Sequence, residues 1–393
     1  MRFAQDPHDP AFYSDPQPLY RRLRATAGPW FWEEFGFHVF ARHAEVSALL
    51  RDRRFGRQVL HLTTRAALGW PERPAHLAEF DALEKHSLLE LEPPDHTRLR
   101  GAVNRTFVSR RIDGLAPAIE ALAERLIDGF AERGEVDLLA AFATPLAVGI
   151  IAALIGAPLE ATPRLLDWSH RMVAMYRLAP TRADEDAAAA AARDFSAFVR
   201  ALLAERRHHP RNDLISQLSE AGTLKDDELV TSVVLLLNAG HEASVHGLGL
   251  AVKVMLDHGL AFAPDEAGVE ELLRFESPLH LFTRFALEDV ELNGVRFKQG
   301  DQIGLLLGAA NRDPAAFPDP DRLDLTRAAH PHVAFGAGIH FCVGAPLARR
   351  ELQIGLAALF RRLPGLALSE PPQWRDAWHF HGLEALRVRW PKA

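Results

Sequence analysis

The most constraining feature of this sequence is the ten-residue stretch 335–344, FGAGIHFCVG, which contains the only cysteine of the chain, Cys342. A single cysteine excludes disulfide bonds and cages of several thiolates, so the chain must fold on its apolar core. Two glycines before the cysteine let the backbone pass closely under a bulky, flat ligand. Beyond Gly344 the apolar residues recur at helical spacing, which predicts that Cys342 lies where a helix begins. The free N–H groups and dipole there favour a thiolate, the form that ligates iron.

The surroundings of Cys342 decide between two interpretations. A lone cysteine is ordinarily a small, buried apolar side chain. Here the stretch resembles the haem-binding loop of the cytochrome P450 family, F-G-x-G-x-H-x-C-x-G, at every fixed position. The resemblance implies haem b (iron protoporphyrin IX) as cofactor and Cys342 as its axial ligand. It also implies that Phe335 and Gly344 line the cofactor site.

Composition limits the class of protein. Of the 393 residues 48% are hydrophobic and 25% charged, as in ordinary soluble globular proteins. The net charge of −7 argues against a nucleic-acid partner. The single cysteine suits the reducing cytoplasm, and residues 1–30 show no signal peptide or membrane anchor. The uncharged stretch Leu138 to Leu159 is long enough to span a bilayer. Its prolines and alanines predict a buried helix instead.

Helical spacing dominates the fold prediction. Residues from about 115 to 260 predict alanine-rich helices, the longest from about Asp226 to Asp257. Residues 283–307 predict strands with a hairpin at Asn293-Gly294, and Trp374 to Trp390 predicts a terminal hairpin. Residues 55–93 predict a long irregular binding segment. The resemblance implies a mainly α protein with a small β-rich lobe, one P450 domain over 1–393. Its helical lobe would cover about 94–275 and 340–365, and its sheet-rich parts about 28–60, 280–310 and 374–391.

The sequence offers candidate ligands for the carboxylates of a haem. His96 and Arg100 are four residues apart and therefore share one helix face. Paired donors suit the haem propionates, although a pair of this kind alone is more often a solvated basic face. The resemblance supports the first interpretation and adds Arg284 and His340 as propionate ligands.

Polar residues interrupt the middle of the longest apolar helix. Their burial is costly unless they are paired or face a wet cavity. Residues 239–243, AGHEA, resemble the oxygen-side motif A-G-x-[DE]-T of the family. The implied catalytic residues are Glu242, Ala243 and Ser244. Ala243 replaces the usual threonine, and the next hydroxyl is that of Ser244. Either Ser244 and Glu242 hold a relocated water chain or a substrate hydroxyl completes it, and we expect the substrate-assisted version.

Further residues are implied to bind substrate or stabilise the fold. Glu271 and Arg274 match the family's E-x-x-R pair, and Arg322 would complete a buried triad. The substrate residues implied by the resemblance and by residue chemistry are Asn238, Ala239, His280 and Phe282.

The resemblance implies monooxygenation of a small or medium apolar organic substrate with dioxygen. One cysteine is too few for an iron–sulfur cluster, so electrons would come from a separate ferredoxin and ferredoxin reductase. An acidic ferredoxin could meet basic residues near the thiolate side, namely Arg105, Arg110, Arg111, Arg349 and Arg350. Two alternatives remain. One is a haem-thiolate protein that uses peroxide or performs non-hydroxylating chemistry, which Ala243 keeps open. The other is a haem sensor or ligand-binding protein without turnover.

Overall fold

The computed structural model describes residues 1–106, 109–176, 180–328 and 330–392, without the side chains of residues 106 and 109–111. Helices account for most of the regular structure. The helices are α1 (Pro10–Ser14), α2 (Gln17–Arg24), α3 (His43–Leu49), α4 (Ala78–Glu84), α5 (Asp95–Thr106), α6 (Ser109–Asp128), α7 (Thr144–Ile155), α8 (Thr162–Val173), α9 (Arg182–His208), α10 (Leu214–Ala221), α11 (Asp226–Asp257), α12 (Glu266–Phe275), α13 (Leu307–Ala310) and α14 (Ala345–Arg362). The strands are β1 (Arg2–Phe3), β2 (Trp30–Trp32), β3 (Phe37–Phe40), β4 (Phe55–Gly56), β5 (Glu135–Asp137), β6 (Leu281–Ala286), β7 (Val290–Leu292), β8 (Val295–Phe297), β9 (Gln302–Leu306), β10 (Ala367–Leu368), β11 (Gln373–Trp374), β12 (Leu383–Ala385) and β13 (Arg387–Arg389).

The chain divides into two compact units. The first unit comprises Met1–Val59, Ile119–Pro145 and Ala243–Ala393, and the second comprises Leu60–Ala118 and Leu146–Glu242. These boundaries differ from the lobes drawn on the sequence, because α12, α14 and the second half of α11 group with the sheets. The grouping follows packing: a Cβ on Gly249 of α11 would lie 2.6 Å from Leu139 and 3.9 Å from Leu383, both in the first unit.

A six-stranded mixed sheet organises the first unit, in the order β1-β2-β3-β9-β6-β4. Its strands are rich in aromatic and branched residues, which favour strands and bury well. The predicted hairpin is confirmed: β7 and β8 pair antiparallel around Asn293 and Gly294, whose φ angles are 48° and 78°. The predicted terminal hairpin holds only in part. Strands β11 and β12 pair with each other, whereas β13 leaves to join β5 and β10.

Helix packing organises the second unit. Helices α8 and α9 pack through Trp168 and Phe195, whose rings lie 5.4 Å apart. The segment predicted to be irregular contains α4, because Phe80 and Leu83 share one face and are both buried. His76, just before α4, contacts Glu185 of α9 across 2.7 Å.

Helix α11 is the longest element, with 32 residues. Its first turn carries Asp226, Asp227 and Glu228, which stabilise the positive end of the helix dipole. The boundary between the two units falls within it, after Glu242. The predicted buried helix is α7, whose side chains are almost all inaccessible. Among the described residues no helix combines the length and apolar character needed to cross a bilayer.

Candidate functional site

A tight loop holds Cys342 in front of α14. The loop turns at Gly336 and Gly338, whose φ angles of 68° and 73° are left-handed. A Cβ on Gly338 would lie 2.4 Å from the Leu50 carbonyl oxygen, so only glycine fits where the loop crosses the end of α3. The N–H of Cys342 donates to the carbonyl oxygen of Phe335 across 3.0 Å. This bond closes the loop and fixes the position of the thiol.

The surroundings of Cys342 fit a flat, apolar, iron-containing group. The thiol is half-buried, and α14 begins after Gly344 without a side-chain cap, so its first N–H groups lie beside the loop. Ile339 and Phe341 precede Cys342 in the loop and remain 40% and 38% exposed. An accessible thiol at a helix N-terminus with apolar flanks is the donor environment that a haem-ligating thiolate requires.

Two guanidinium groups converge on one carbonyl oxygen in the first unit. Arg284 of β6 is only 2% exposed and donates to the Thr283 carbonyl oxygen at 2.9 Å. Arg57 donates to the same oxygen at 3.1 Å. The antiparallel register of β4 and β6, extended by one residue, brings these two arginines opposite each other. Paired guanidinium groups suit a carboxylate such as a haem propionate. The sequence analysis missed Arg57, because strand register is a tertiary property.

The other predicted haem contacts lie on separate elements. Phe335 lies under the guanidinium of Arg349, 4.6 Å from its ring centre. His340 ends a short 3₁₀ turn that begins at Gly338 and is half-buried. In the second unit, His96 is 2% exposed in the first turn of α5. Arg100 follows one turn later and donates to Asn104 Oδ1 at 3.0 Å.

The predicted oxygen-side motif contributes small, accessible residues to a helix whose neighbouring residues are mostly buried. The α11 residues on both sides, 229–238 and 245–252, are almost all buried. Ala239 is exposed, whereas Gly240, Ala243 and Ser244 are half-buried. Ala239 and Ala243 are one turn apart and therefore share this face. A face of small residues leaves room for a ligand against the helix.

Two polar side chains contact α8: that of Asn238, just before the motif, and that of His241 within it. The Nδ2 of Asn238 donates to the Met172 sulfur at 3.6 Å, and its Oδ1 is buried without a hydrogen-bond partner among the described residues. The Nδ1 of His241 lies 3.1 Å from the Leu237 carbonyl oxygen and 3.3 Å from Ser169 Oγ. Glu242 is 5% exposed. The α8 side of α11 therefore carries a polar layer within the second unit.

Ser244 hydrogen-bonds to Glu351 of α14, a residue that the sequence analysis missed. Burial raises the pKa of Glu351 to about 8, and the bond to Ser244 opposes that rise only in part. A signal was present in the sequence. Glu351 is four residues from both Leu347 and Gly355, so it lies on the buried face of α14.

A buried charge network stabilises α12, and one of its three members differs from the prediction. Arg274 Nε and Nη2 donate to the two Glu271 carboxylate oxygens at 2.7 and 2.8 Å. The predicted third member, Arg322, is exposed, and Arg327 contacts Glu271 instead, at 3.1 and 3.2 Å. The turn around Asp319 points Arg322 outward, and its carbonyl oxygen accepts a bond from Arg327.

The network holds Glu271 ionised. Burial alone would raise the pKa of its carboxyl group. The hydrogen bonds and charge of Arg274 and the contact with Arg327 outweigh that effect and hold the pKa below its usual value. The network is therefore a structural feature of the fold.

His280 is corrected as a substrate residue. It is 1% exposed, and its Nδ1 lies 2.9 Å from the Tyr20 hydroxyl. Its ring stacks on His381 at 4.4 Å, and burial holds the pKa of His280 well below its usual value. It is a core residue because neighbours on distant segments enclose it. Phe282 stays a candidate: it is half-buried and packs on the cysteine loop, 3.0 Å from where a Cβ on Gly336 would lie.

The same core contains a set of metal-ligand types, Glu276, His280 and His381. Their donor atoms lie within 4.8 Å of one another. A metal ion must lie in the ring plane of each histidine that binds it, and two rings stacked only 18° from parallel cannot both point at one ion. Arg312 also lies 3.5 Å from Glu276. Burial raises the pKa of Glu276, but the bond to His381 and nearby positive charges lower it to about 2. The geometry indicates a hydrogen-bonded core contact.

The basic residues predicted to meet a partner differ in availability. Arg349 forms a bidentate ion pair with Glu270, whose pKa is lowered to about 2 although burial opposes the shift. Arg350 lies 3.8 Å from Glu266, and Arg105 is exposed. The side chains of Arg110 and Arg111 lie outside the described residues.

Comparisons with known proteins show what this chain is similar to. A family model described as "Cytochrome P450" matches residues 266–372. The chain is 37% identical to "Cytochrome P450 107B1" of Saccharopolyspora erythraea, over 98% of this chain and 96% of the relative. It is also 37% identical to the "6-deoxyerythronolide B hydroxylase" of that organism, over 99% of both. Among solved structures, P450BioI in complex with hexadec-9Z-enoic acid ligated acyl carrier protein superposes with a TM-score of 0.90 at 32% identity, covering 97% of this chain and 100% of that one.

Proposed function

Because this chain belongs to the cytochrome P450 family and is a haem monooxygenase, we propose that Cys342 is the axial ligand of haem b and that the enzyme oxygenates a small or medium apolar molecule. The observation that carries the proposal is the glycine-turned loop that presents Cys342 at the N-terminus of α14. When bound, a thiolate-ligated haem supplies the oxygen-activating chemistry. The residues of the chain bind and orient the substrate and supply protons.

The proposed propionate ligands are His96, Arg100, Arg284 and His340, with Arg57 as an additional donor. The convergence of Arg57 and Arg284 supports this proposal, because two adjacent guanidinium groups are favoured where a carboxylate binds between them. Each hydrogen bond to a charged group contributes about 1.5–3 kcal/mol. The propionate contacts would orient the ring and slow its release.

The proposed role of the α11 face is to hold substrate and oxygen. Ala239 and Ala243 leave space on this face of α11, and Phe282 of the first unit is a further proposed substrate residue. Ala243 has no side-chain donor or acceptor, so it cannot order the water that a threonine would hold. We infer that a polar group on the substrate fills this gap. Glu242 of the same helix would relay protons.

An apolar substrate with at least one polar group is the proposed substrate class. The small residues of the α11 face support the apolar part, and the absence of a side-chain hydroxyl at Ala243 supports the polar group. The names of two relatives agree with this class. One is a hydroxylase of 6-deoxyerythronolide B, and the other was crystallised with a fatty-acyl carrier protein.

The enzyme requires a redox partner, and we propose a ferredoxin with its ferredoxin reductase. Arg105 and Arg350 are the proposed contacts, because Arg105 is exposed and Arg350 lies 3.8 Å from a Glu266 side chain that is 82% exposed, so solvent screens that pair. Arg349 is a weaker choice since Glu270 already neutralises it. Substituting Arg105 should therefore reduce electron transfer more at low than at high ionic strength.

Turnover with isotopically labelled dioxygen tests the proposed function. With ferredoxin, reductase and a substrate chosen by the spectral change on binding, one labelled atom should enter the product and the other should appear in water. Product formed from hydrogen peroxide but not from dioxygen and reductant would favour the peroxide-using alternative. Binding of the same substrates without any product would favour a sensor and contradict the proposal.

A further inference from the structure

A fully buried tyrosine of the first unit lies between a histidine and a tryptophan, and none of the three has a role in the proposed chemistry. Tyr20 of α2 is 0% exposed, and its hydroxyl oxygen lies 2.9 Å from Nδ1 of His280. Nε1 of Trp378, between β11 and β12, donates to the same oxygen at 2.8 Å. His280 and Trp378 are also buried. Two ring nitrogens therefore hold the phenol in the core, away from solvent.

The chemistry of the donors fixes the direction of these hydrogen bonds. The indole of Trp378 can only donate, so the Tyr20 oxygen accepts its hydrogen. The phenol hydrogen then points at Nδ1 of His280, which accepts it as an unprotonated nitrogen. Burial holds the pKa of His280 well below its usual value, which agrees with a neutral ring. Burial also raises the pKa of Tyr20 well above its usual value, so the phenol does not ionise by itself.

A carboxylate beside His280 can balance a positive charge on its ring. His381 stacks on His280 at 4.4 Å, and its Nε2 lies 3.2 Å from Oε1 of Glu276. Donor atoms of these three side chains lie within 4.8 Å of one another. Although Glu276 is buried, its pKa is lowered to about 2, so its carboxyl group is ionised at neutral pH. A carboxylate at this range favours a proton on His280.

We propose that Tyr20 is a one-electron donor that removes oxidising equivalents from the haem site when no substrate consumes them, with His280 as the acceptor of its proton. The O–H bond of Tyr20 breaks, its electron goes to the oxidant, and its proton moves to Nδ1 of His280. A neutral phenoxyl radical and an imidazolium remain. The oxidant is a peroxide that reacts at the haem, and two such electrons with two protons from solvent reduce hydrogen peroxide to two waters. A one-electron reductant then restores Tyr20, which regains its proton from His280.

The position of the pair relates it to the proposed haem site. His280 directly precedes β6, and Phe282, two residues further on, packs on the cysteine loop. Two residues of extended chain span about 7 Å, so His280 and Tyr20 lie near the loop that presents Cys342. The pair and the loop belong to the same unit of the fold. The inference rests on the proposed function, because it needs haem bound at Cys342.

Two further tryptophans extend the pair towards the surface. The ring of Trp378 lies 4.7 Å from that of Trp32. Trp30 lies two residues before Trp32 in β2, on the same face of the strand, and is half-buried. These indole rings are the proposed route by which electrons from a reductant in solution reach Tyr20.

The site described above gives such a donor a use. Coupling is the fraction of reductant consumed that yields product. It should be low with substrates that lack a polar group, because Ala243 cannot order the water that a threonine would hold. Oxidising equivalents that do not reach substrate then require another electron donor, which Tyr20 supplies.

Electron paramagnetic resonance of the haem-loaded protein tests the radical directly. The chain has three tyrosines, Tyr13, Tyr20 and Tyr176, so a tyrosyl signal has few sources. Wild type mixed with hydrogen peroxide without substrate and frozen rapidly should give this signal, and Tyr20→Phe should abolish it. The matched controls, Tyr13→Phe in the same apolar core and Tyr176→Phe, should keep it. A wild type without a tyrosyl signal, or a signal that survives in Tyr20→Phe, would overturn the proposal.

His280→Asn tests the proton step. An asparagine oxygen can accept the phenol hydrogen bond in place of Nδ1, but the amide is not a base. The tyrosyl signal should therefore be lost although the buried hydroxyl keeps a partner. A signal of wild-type size in His280→Asn would overturn the assignment of His280 as proton acceptor.

Destruction of the haem by peroxide tests the protective role. The haem absorbance should bleach several-fold faster in Tyr20→Phe than in the wild type or in Tyr13→Phe. Ascorbate should prolong the lifetime of the haem in the wild type but not in Tyr20→Phe. Equal bleaching rates in these proteins would overturn the protective role. The thiolate spectrum should be present in every variant before peroxide is added, so failure here is distinct from failure of the proposed function.

Discussion

Helices α12 and α14 each bury a glutamate of the same chemical kind, but the two groups differ in charge. Glu271 of α12 is 3% exposed, and Glu351 of α14 is 6% exposed. Arg274 and Arg327 contact Glu271 and hold its pKa below the usual value. Glu351 hydrogen-bonds to Ser244, and burial raises the pKa of Glu351 to about 8. Burial is similar in the two places, so the partner decides which form is stable.

The difference separates an acid that stabilises the fold from an acid that can exchange a proton near neutral pH. A carboxylate fixed by two arginines cannot release or take up a proton near neutral pH, and it holds its segment in one geometry. An acid with a pKa near the working pH can exchange its proton and so contribute to catalysis. We therefore expect substitutions in the two helices to affect different properties.

The largest effect should come from breaking the paired acid. Arg274→Ala leaves Glu271 as a buried charge that Arg327 only partly compensates, and it also removes the bonds to the carbonyl oxygens of Asn311 and Pro320. The free energy of unfolding should fall by about 3–5 kcal/mol. Chemical denaturation of the variant and the wild type measures this loss.

The matched control for that experiment is Arg322→Ala. Arg322 is exposed, so its loss should change the free energy of unfolding by no more than about 0.5 kcal/mol. The loss of unfolding free energy in Arg327→Ala should lie between the losses in Arg274→Ala and Arg322→Ala. A larger loss in Arg322→Ala than in Arg327→Ala would restore Arg322 as the third member and contradict the structure.

The next effect concerns how stability depends on pH. The folded state holds the Glu351 proton up to about pH 8, whereas the unfolded chain releases it near 4.5, so this group makes stability fall as pH rises through that range. Up to about 4 kcal/mol should be lost between pH 5 and 8. Glu351→Gln should remove this decline, which thermal unfolding across the pH range measures. An unchanged decline would show that Glu351 is ionised in the folded state.

The paired acids act in the opposite direction. Glu270 and Glu276 have pKa values lowered to about 2, so their stabilisation is present above about pH 4.5 and is lost as pH falls towards 2. Glu351→Gln should leave this acid limb unchanged. One series of stability measurements across pH can therefore assign the loss at high pH to Glu351 and the loss at low pH to Glu270 and Glu276.

A smaller effect is expected for a buried cation whose proposed partner is a haem propionate. Arg284→Gln should speed haem loss to an apo-globin scavenger by about ten- to a hundredfold, since a hydrogen bond to a charged group contributes about 1.5–3 kcal/mol. Arg100→Ala should act in the same direction. The exposed Arg296 of β8 provides the control, and Arg296→Gln should leave the rate unchanged. Equal rates of haem loss in the wild type and the three variants would contradict the propionate assignment.

The smallest effect should arise at Ala243. With substrates that lack the polar group, Ala243→Thr should raise coupling several-fold, because its hydroxyl replaces the missing donor and acceptor. With the native substrate the added side chain should crowd the site and give no gain. Wild-type coupling that is insensitive to deletion of the substrate's polar group would contradict the substrate-assisted version.

The sequence predicted features that depend on local pattern. The comparisons confirm the P450 fold, mainly α with a small β-rich lobe. The Asn293-Gly294 hairpin and the buried α7 also follow the sequence, because each depends on neighbouring residues. The loop around Cys342 has glycines where its backbone requires positive φ angles.

The sequence did not predict features that depend on contacts between distant segments. Arg57 meets Arg284 through strand register, and Arg327 replaces Arg322 through the path of a turn. The sequence predicted His280 as a substrate contact, but Tyr20 and His381 enclose it in the core. Glu351 carried a weak local signal on the buried face of α14, but its hydroxyl partner is more than one hundred positions away.

The central claim is that Cys342 binds haem iron as a thiolate, and the absorption spectrum of the reduced, carbon-monoxide-bound protein tests it most directly. The wild type should absorb at the position typical of a thiolate-ligated haem. Cys342→Ser should lose that band, even if it retains some haem, because no other cysteine can replace the ligand. A wild type that absorbs at the position of a histidine-ligated haem, or a Cys342→Ser variant that keeps the thiolate band, would contradict the account.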